Sequence, residues 1–134
     1  MSVVHIDASG PGGRPYTTIC ACFQGPLGEQ NSPIFVERLE PMSPIEAEYR
    51  ALILALNKAQ LANCRQLHVY TDCRVVALQI HQHGKVRSEL LKPLYEIALE
   101  LIQRFDLVVV QYIPRELNRQ ADWYAANGLP EEIP

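Results

Sequence analysis

A chain of 134 residues suits one domain and is long enough to bury a core without disulfide or metal staples. Its 48% hydrophobic and 20% charged residues exclude a disordered chain, and no run approaches the roughly 18 apolar residues of a membrane span. The net charge of −3 argues against a broadly basic nucleic-acid binder, although acids that belong to a metal site would have their local sign reversed by bound cations.

The opening MSVVHIDASG has no basic region followed by an apolar stretch, so a cytosolic (cytoplasmic) protein without a secretory signal is expected. Cys20, Cys22, Cys64 and Cys73 offer no second close pair to complete a zinc site. They are expected to be free thiols, mostly buried as small apolar groups.

In chain order, Val3 to Asp7 is a short β-type run ended by the turn signal Ala8-Ser9-Gly10-Pro11-Gly12-Gly13. Residues 16–24 (YTTICACFQ) and 33–39 (PIFVERL) are two further strands, which suggests an antiparallel meander. Ser43 then opens a helix as N-cap, with Pro44 at the first helical position and Glu46 completing a capping box. This helix runs to about Ala62 and buries a stripe of Glu48, Ala51, Leu52, Ala55 and Ala59.

A fourth strand is expected over 67–71 and a short helix over 73–82, stopped near Gly84. Ser88 to Phe105 reads as one long amphipathic helix with Leu90, Leu91, Leu94, Ile97, Ala98 and Leu101 inward. Residues 107–112 (LVVVQY) are apolar on both faces and predict a central strand, broken at Pro114. A last helix spans about Asn118 to Asn127, with Trp123 packing it on the sheet. The domain is expected over 1–128, with a frayed tail over 129–134. Strands followed by alternating helices and strands predict an α/β fold: one mixed sheet with helices packed on it.

Four acids carry the chemical argument. Asp7 and Asp72 each end a short apolar strand, VVHID and LHVYTD. If those strands are neighbours about 4.8 Å apart, the two carboxylates can share one cation. Each also has a plainer role as a turn residue or helix cap. Glu48 sits on the apolar stripe of its helix, where an unpaired charge is expensive. Asp122 lies four residues after Asn118, on the same helix face. Carboxylates gathered at ~4 Å repel by about 4 kcal/mol per pair at an effective dielectric near 20. Such a cluster makes sense with cations, and an all-oxygen donor set suits Mg²⁺ or Mn²⁺ rather than zinc.

VVHIDASG, SPIEAEYRALILAL, LHVYTDCRVVALQI and VQYIPRELNRQADWYAA, in this order, resemble the ribonuclease H family, in its compact form without a basic protrusion. The resemblance reaches to about residue 128. It implies a ribonuclease H-like fold: a mixed five-stranded sheet, first three strands antiparallel, with helices on both faces. It also implies an endonuclease that hydrolyses the RNA strand of RNA/DNA hybrids with two divalent ions. Asp7 would bridge both ions, Glu48 and Asp72 would complete one, and Asp122 the other. Contacts with nucleic acid would fall on Ser9, Gly10, Gly12, Ser43, Arg74, Lys85, Arg115 and Asn118.

The sequence departs from the family pattern at three polar positions. The first loop, Gly10-Pro11-Gly12-Gly13, has no Asn; Pro44 stands four residues before Glu48; and Arg74 stands two after Asp72. In the family this sequence resembles, polar side chains at these positions help read the 2′-hydroxyls that distinguish RNA from DNA. The alternatives are a nuclease of the same superfamily on another nucleic-acid substrate, and a catalytically weak nucleic-acid-binding module.

Overall fold

The computed structural model describes residues 1–82 and 86–129. Strands β1 (Ser2–Ser9) and β2 (Thr17–Gln24) are followed by a two-stranded ribbon, β3 (Pro26–Leu27) and β4 (Gln30–Asn31), then by β5 (Ile34–Leu39). Helix α1 (Pro44–Leu61), β6 (Gln66–Thr71), α2 (Arg74–Gln82), α3 (Lys92–Ile102) and β7 (Leu107–Tyr112) come next. A 3₁₀ turn, Arg115–Leu117, leads into α4 (Arg119–Asn127).

The main sheet has five strands in the order β5-β2-β1-β6-β7. β5, β2 and β1 pair antiparallel, while β1–β6 and β6–β7 are parallel. Side chains alternate across the pleat, so β2 supplies two cores. Ile19, Ala21 and Phe23 join Val4, Ile6 and α1 on one face, while Cys20 and Cys22 meet Ala121 and Ala125 of α4 on the other. This covering on both sides explains why every β2 residue except Gln24 is buried.

Helix α1 begins where its chemistry dictates. The Ser43 hydroxyl accepts from the Glu46 amide at 3.4 Å, and the Glu46 carboxylate accepts from the Ser43 amide at 3.1 Å. It ends with Asn63 in the left-handed region (φ 59°). There the Asn63 amide reaches Gln60 O and the Cys64 amide reaches Ala59 O, so two otherwise orphaned carbonyls are satisfied. Ser43→Ala is expected to cost about 1 kcal/mol. Urea unfolding should show this as a lower midpoint at unchanged slope.

Several expectations need correction. β7 is an edge strand, not a central one. Its apolar run fits the pleat, yet Leu107 is 45% exposed and only Val110 is fully buried. The long helix begins at Lys92 rather than Ser88, with Pro93 in its first turn, a position where the missing amide donor is no loss. Leu90 falls before the helix and is exposed, Ile97 is 43% exposed, and Tyr95 turns inward with Leu91, Leu94, Ala98 and Leu101. Trp123 does not pack on the sheet. It is 48% exposed and meets Tyr124 edge-on, because the small face of α4, Ala121 and Ala125, takes the contact. The expected stop at Gly84 and the tail beyond Leu129 lie outside the described residues. No helix among the described residues is long and apolar enough to cross a membrane.

A candidate metal and nucleic-acid site

Parallel pairing of β1 with β6 sets Ile6 beside Thr71, so the next residues, Asp7 and Asp72, emerge from the C-terminal ends of neighbouring strands. Thr71 fixes the turn: its fully buried hydroxyl accepts from the Cys73 amide at 3.0 Å. The sequence reading passed over Thr71, although a hydroxyl bonding two residues onward is a recognisable turn signal. Glu48 comes from the start of α1 and completes the group. Asp7, Glu48 and Asp72 each offer a carboxylate oxygen within 4.8 Å of the others.

The first two of these acids are unusually secluded. Asp7 is 4% exposed and Glu48 8%. Burial, reinforced by the charge of Asp72, pushes the Asp7 carboxyl up to about 7. Burial first, then the Asp7 charge, raises Glu48 well above the usual carboxylate range. One Glu48 oxygen, Oε2, is buried without a hydrogen-bond partner. An orphaned buried oxygen beside two other carboxylates is an environment that a hard divalent cation satisfies. The donor set therefore fits Mg²⁺ or Mn²⁺.

Asp122 stands at the rim. It lines the same cleft of about 340 Å³ as the three acids, together with Ser9, Gly10, Pro44 and Arg115. Its Oδ1 accepts from Arg115 at 3.3 Å, an ion pair open to solvent. The structure thus brings together three of the four acids tightly, with the fourth lining the same cleft within side-chain hydrogen-bond reach of Asp7.

The expected nucleic-acid contacts divide. Ser9 and Gly10 line the cleft, and Arg115 closes one side. Gly10 has φ +100°, and a Cβ there would meet Tyr16 O at 3.1 Å, which explains the glycine. Gly12 is exposed in the same loop, and Ser43 is engaged in its capping box beside the cleft. Arg74 points elsewhere: it lies over the Tyr112 ring, 4.7 Å from the centroid, at the β7 edge. Lys85 is outside the described residues.

Asn118, expected to orient or hydrogen-bond near the cleavage site, is buried at 1% exposure and bonds within the acid group. Both donor hydrogens of Nδ2 have partners, Ile6 O at 2.9 Å and Asp72 Oδ2 at 3.2 Å. It therefore pins the start of α4 to β1 and orients Asp72. Asn118→Ala is expected to destabilise by about 2–3 kcal/mol, since a buried carbonyl and a carboxylate oxygen lose their donor. Thermal melting would show this, and metal affinity should fall roughly 10- to 100-fold, as it does when a ligand's support is lost.

A family profile described as "Reverse transcriptase-like" matches residues 18–128. The chain belongs to the ribonuclease H family. The matched stretch contains Glu48, Asp72 and Asp122, while Asp7 lies before it on β1. Solved ribonuclease H structures share the fold. An N-terminal RNase H domain from Mycobacterium tuberculosis is 24% identical, with TM-score 0.84 over 95% of this chain and 91% of that one. RNase H1 of Halobacterium salinarum is 20% identical, with TM-score 0.83 over 97% and 98%. LC11-RNase H1, isolated from compost, was solved in complex with an RNA/DNA hybrid. It is 20% identical, with TM-score 0.79 over 92% of each chain.

Proposed function

We propose that this ribonuclease H-family protein is a metal-dependent endonuclease that hydrolyses the RNA strand of RNA/DNA hybrids. The observation that carries the reading is the trio Asp7, Glu48 and Asp72, within 4.8 Å of one another at the ends of two parallel strands and the start of α1. Two of the three acids, Asp7 and Glu48, are buried, and near neutral pH the cost of their crowding with Asp72 is one that a bound cation relieves.

Asp7, Glu48 and Asp72 would hold one ion, and Asp7 with Asp122 a second. When bound, such a pair supplies an activated water and stabilises the leaving 3′ oxygen of the phosphodiester. The chain's own residues do the positioning. Asn118 and Thr71 fix the Asp72 side chain and the turn that carries it. Arg115 holds Asp122 and offers a guanidinium to phosphate on the open side of the cleft. The loop at Ser9–Gly10 brings backbone groups to the cleft where side-chain readers of the 2′-hydroxyl are missing. The reading also draws on the hybrid bound in the related compost enzyme, and we place the reaction in the cytoplasm.

The ends of the products test the chemistry. Hydrolysis that expels the 3′ oxygen leaves RNA fragments with 5′-phosphate and 3′-hydroxyl termini, formed only with Mg²⁺ or Mn²⁺. Fragments with cyclic phosphate ends, formed in EDTA, would overturn the proposal.

A further inference from the structure

We propose that Tyr49 and Gln79 are positioning residues for the acid trio, and that their hydrogen bond sets the gap between Glu48 and Asp72 to suit Mg²⁺ over larger divalent ions. The inference rests on the reading of the trio as a divalent-ion site. The two acids come from different elements. Glu48 lies on α1, and Asp72 lies two residues before α2. Tyr49 follows Glu48 directly, and its phenol donates to Gln79 Oε1 on α2. One bond thus joins the two ligand-bearing elements.

The other polar bonds around Asp72 and α2 lead elsewhere. Thr71 pins the turn that carries Asp72, and Asn118 holds Asp72 Oδ2 from the α4 side; neither bond reaches α1. His81 Nε2 meets Val110 O at 2.9 Å, which fastens the far end of α2 to β7. Beyond these bonds, α1 and α2 share an apolar core that includes Leu52, Val76 and Ile80. Apolar contact resists separation but is non-directional, so it tolerates sliding of one helix along the other. A hydrogen bond weakens steeply when its angle opens. The Tyr49 bond therefore fixes where α2 stands along α1.

Burial gives the hydroxyl its role. Tyr49 is 0% exposed and is the largest of the fully buried side chains. A phenylalanine would fill the same space with no polar atom to satisfy, and a buried hydroxyl adds little net stability once paired. The hydroxyl adds direction instead. Direction matters because Asp7, Glu48 and Asp72 crowd their oxygens within 4.8 Å, and their repulsion drives α1 away from the strand ends whenever no cation is bound. Mg²⁺ takes oxygens at about 2.0–2.1 Å in a near-octahedral set, whereas Ca²⁺ takes them at about 2.3–2.6 Å in a looser one. A gap that is held favours the smaller ion.

Tyr49→Phe, Gln79→Met and the double variant test this without nucleic acid. Mg²⁺ and Ca²⁺ affinities are read from backbone amide NMR shifts at constant ionic strength, well below the melting temperature. Tyr49→Phe should weaken Mg²⁺ binding roughly three- to tenfold and Ca²⁺ binding by less than about twofold, so the ratio of the two affinities falls. Gln79→Met should move the ratio the same way. The double variant should be no worse than either single one, since the pair acts as a unit. Melting should fall by about 3–6 °C, an effect that any lost buried bond gives; the ion ratio is what a purely structural bond would not move. An unchanged ratio in Tyr49→Phe, an equal loss for both ions, or effects that add in the double variant would overturn the inference. If the ratio shifts while the wild type cuts no hybrid, the positioning role stands and the hydrolytic reading falls. If the wild type cuts hybrids and the ratio holds, the reverse is true. A wild type that binds neither ion removes both.

Discussion

Glu48→Gln is expected to abolish cleavage, by about 10³-fold or more, while making the metal-free protein more stable than the wild type at pH 8. The first effect follows from losing a charged ligand, since charge stabilisation by bound ions supplies several kcal/mol at the transition state and each 1.36 kcal/mol is tenfold in rate. The second follows from burial. Glu48 is 8% exposed, has one oxygen without a partner, and faces Asp7 and Asp72. A neutral amide of the same shape removes that repulsion. Single-turnover cleavage with Mg²⁺ and melting in EDTA measure the two effects on one sample. A variant that is both inactive and less stable in EDTA would mean that Glu48 is a structural residue.

Metal-free wild-type protein should melt at a lower temperature at pH 8 than at pH 5, by about 5–10 °C. The sign follows from Asp7, whose carboxyl rises from 3.8 to about 7 on folding, mainly through burial. Between those values the native state binds more protons than the unfolded chain. Stability is therefore fully present at the acid end and is lost as pH rises to about 7. Glu48, raised in the same direction, adds to the slope. His5, lowered by burial and then by the His68 charge, works in the opposite sense, because the native state then binds fewer protons than the unfolded chain; Asp106, lowered by Arg65, titrates below this range. Saturating Mg²⁺ should reverse the trend. At a concentration one hundred times its Kd an ion adds about 2.7 kcal/mol, roughly 10 °C for a chain of this size, and more at pH 8, where the ligands are free of protons. Calorimetric scans at both pH values, with EDTA and with Mg²⁺, give the comparison. Equal melting at pH 5 and pH 8 in EDTA would show that the acids are not coupled by burial.

Local chemistry made much of the fold legible. Ser43, Pro44 and Glu46 mark the start of α1 as plainly in the sequence as in the structure. The run of strands before the first helix announces the antiparallel half of the sheet, and the alternation after it the parallel half. What stayed hidden depends on partners distant in sequence. LVVVQY has the composition of a central strand, but only the ladder order places it at the edge. Leu90 and Ile97 satisfy helical spacing, yet Leu90 lies before the helix, which starts at Lys92, and Tyr95 takes the buried place that Ile97 was expected to fill.

The site divides in the same way. Asp7 and Asp72 announce themselves as acids that end apolar strands, and Glu48 as a charge on a buried stripe. Asn118 has the spacing of a surface residue facing Asp122, and nothing in LNRQAD shows that its amide is spent on Ile6 O and Asp72. Nothing in EAEYRAL shows the bond from Tyr49 to Gln79, which arises from the packing of α1 against α2.

The central claim is tested most directly by cleavage of an RNA/DNA hybrid labelled in turn on each strand, beside RNA/RNA and DNA/DNA duplexes, with Mg²⁺ or Mn²⁺ and with Asp72→Asn as control. Scission confined to the RNA strand of the hybrid, and lost in Asp72→Asn, is the predicted result. An intact hybrid, from protein that Mg²⁺ or Mn²⁺ stabilises against melting, would contradict it and point to another nucleic-acid substrate for the same acids.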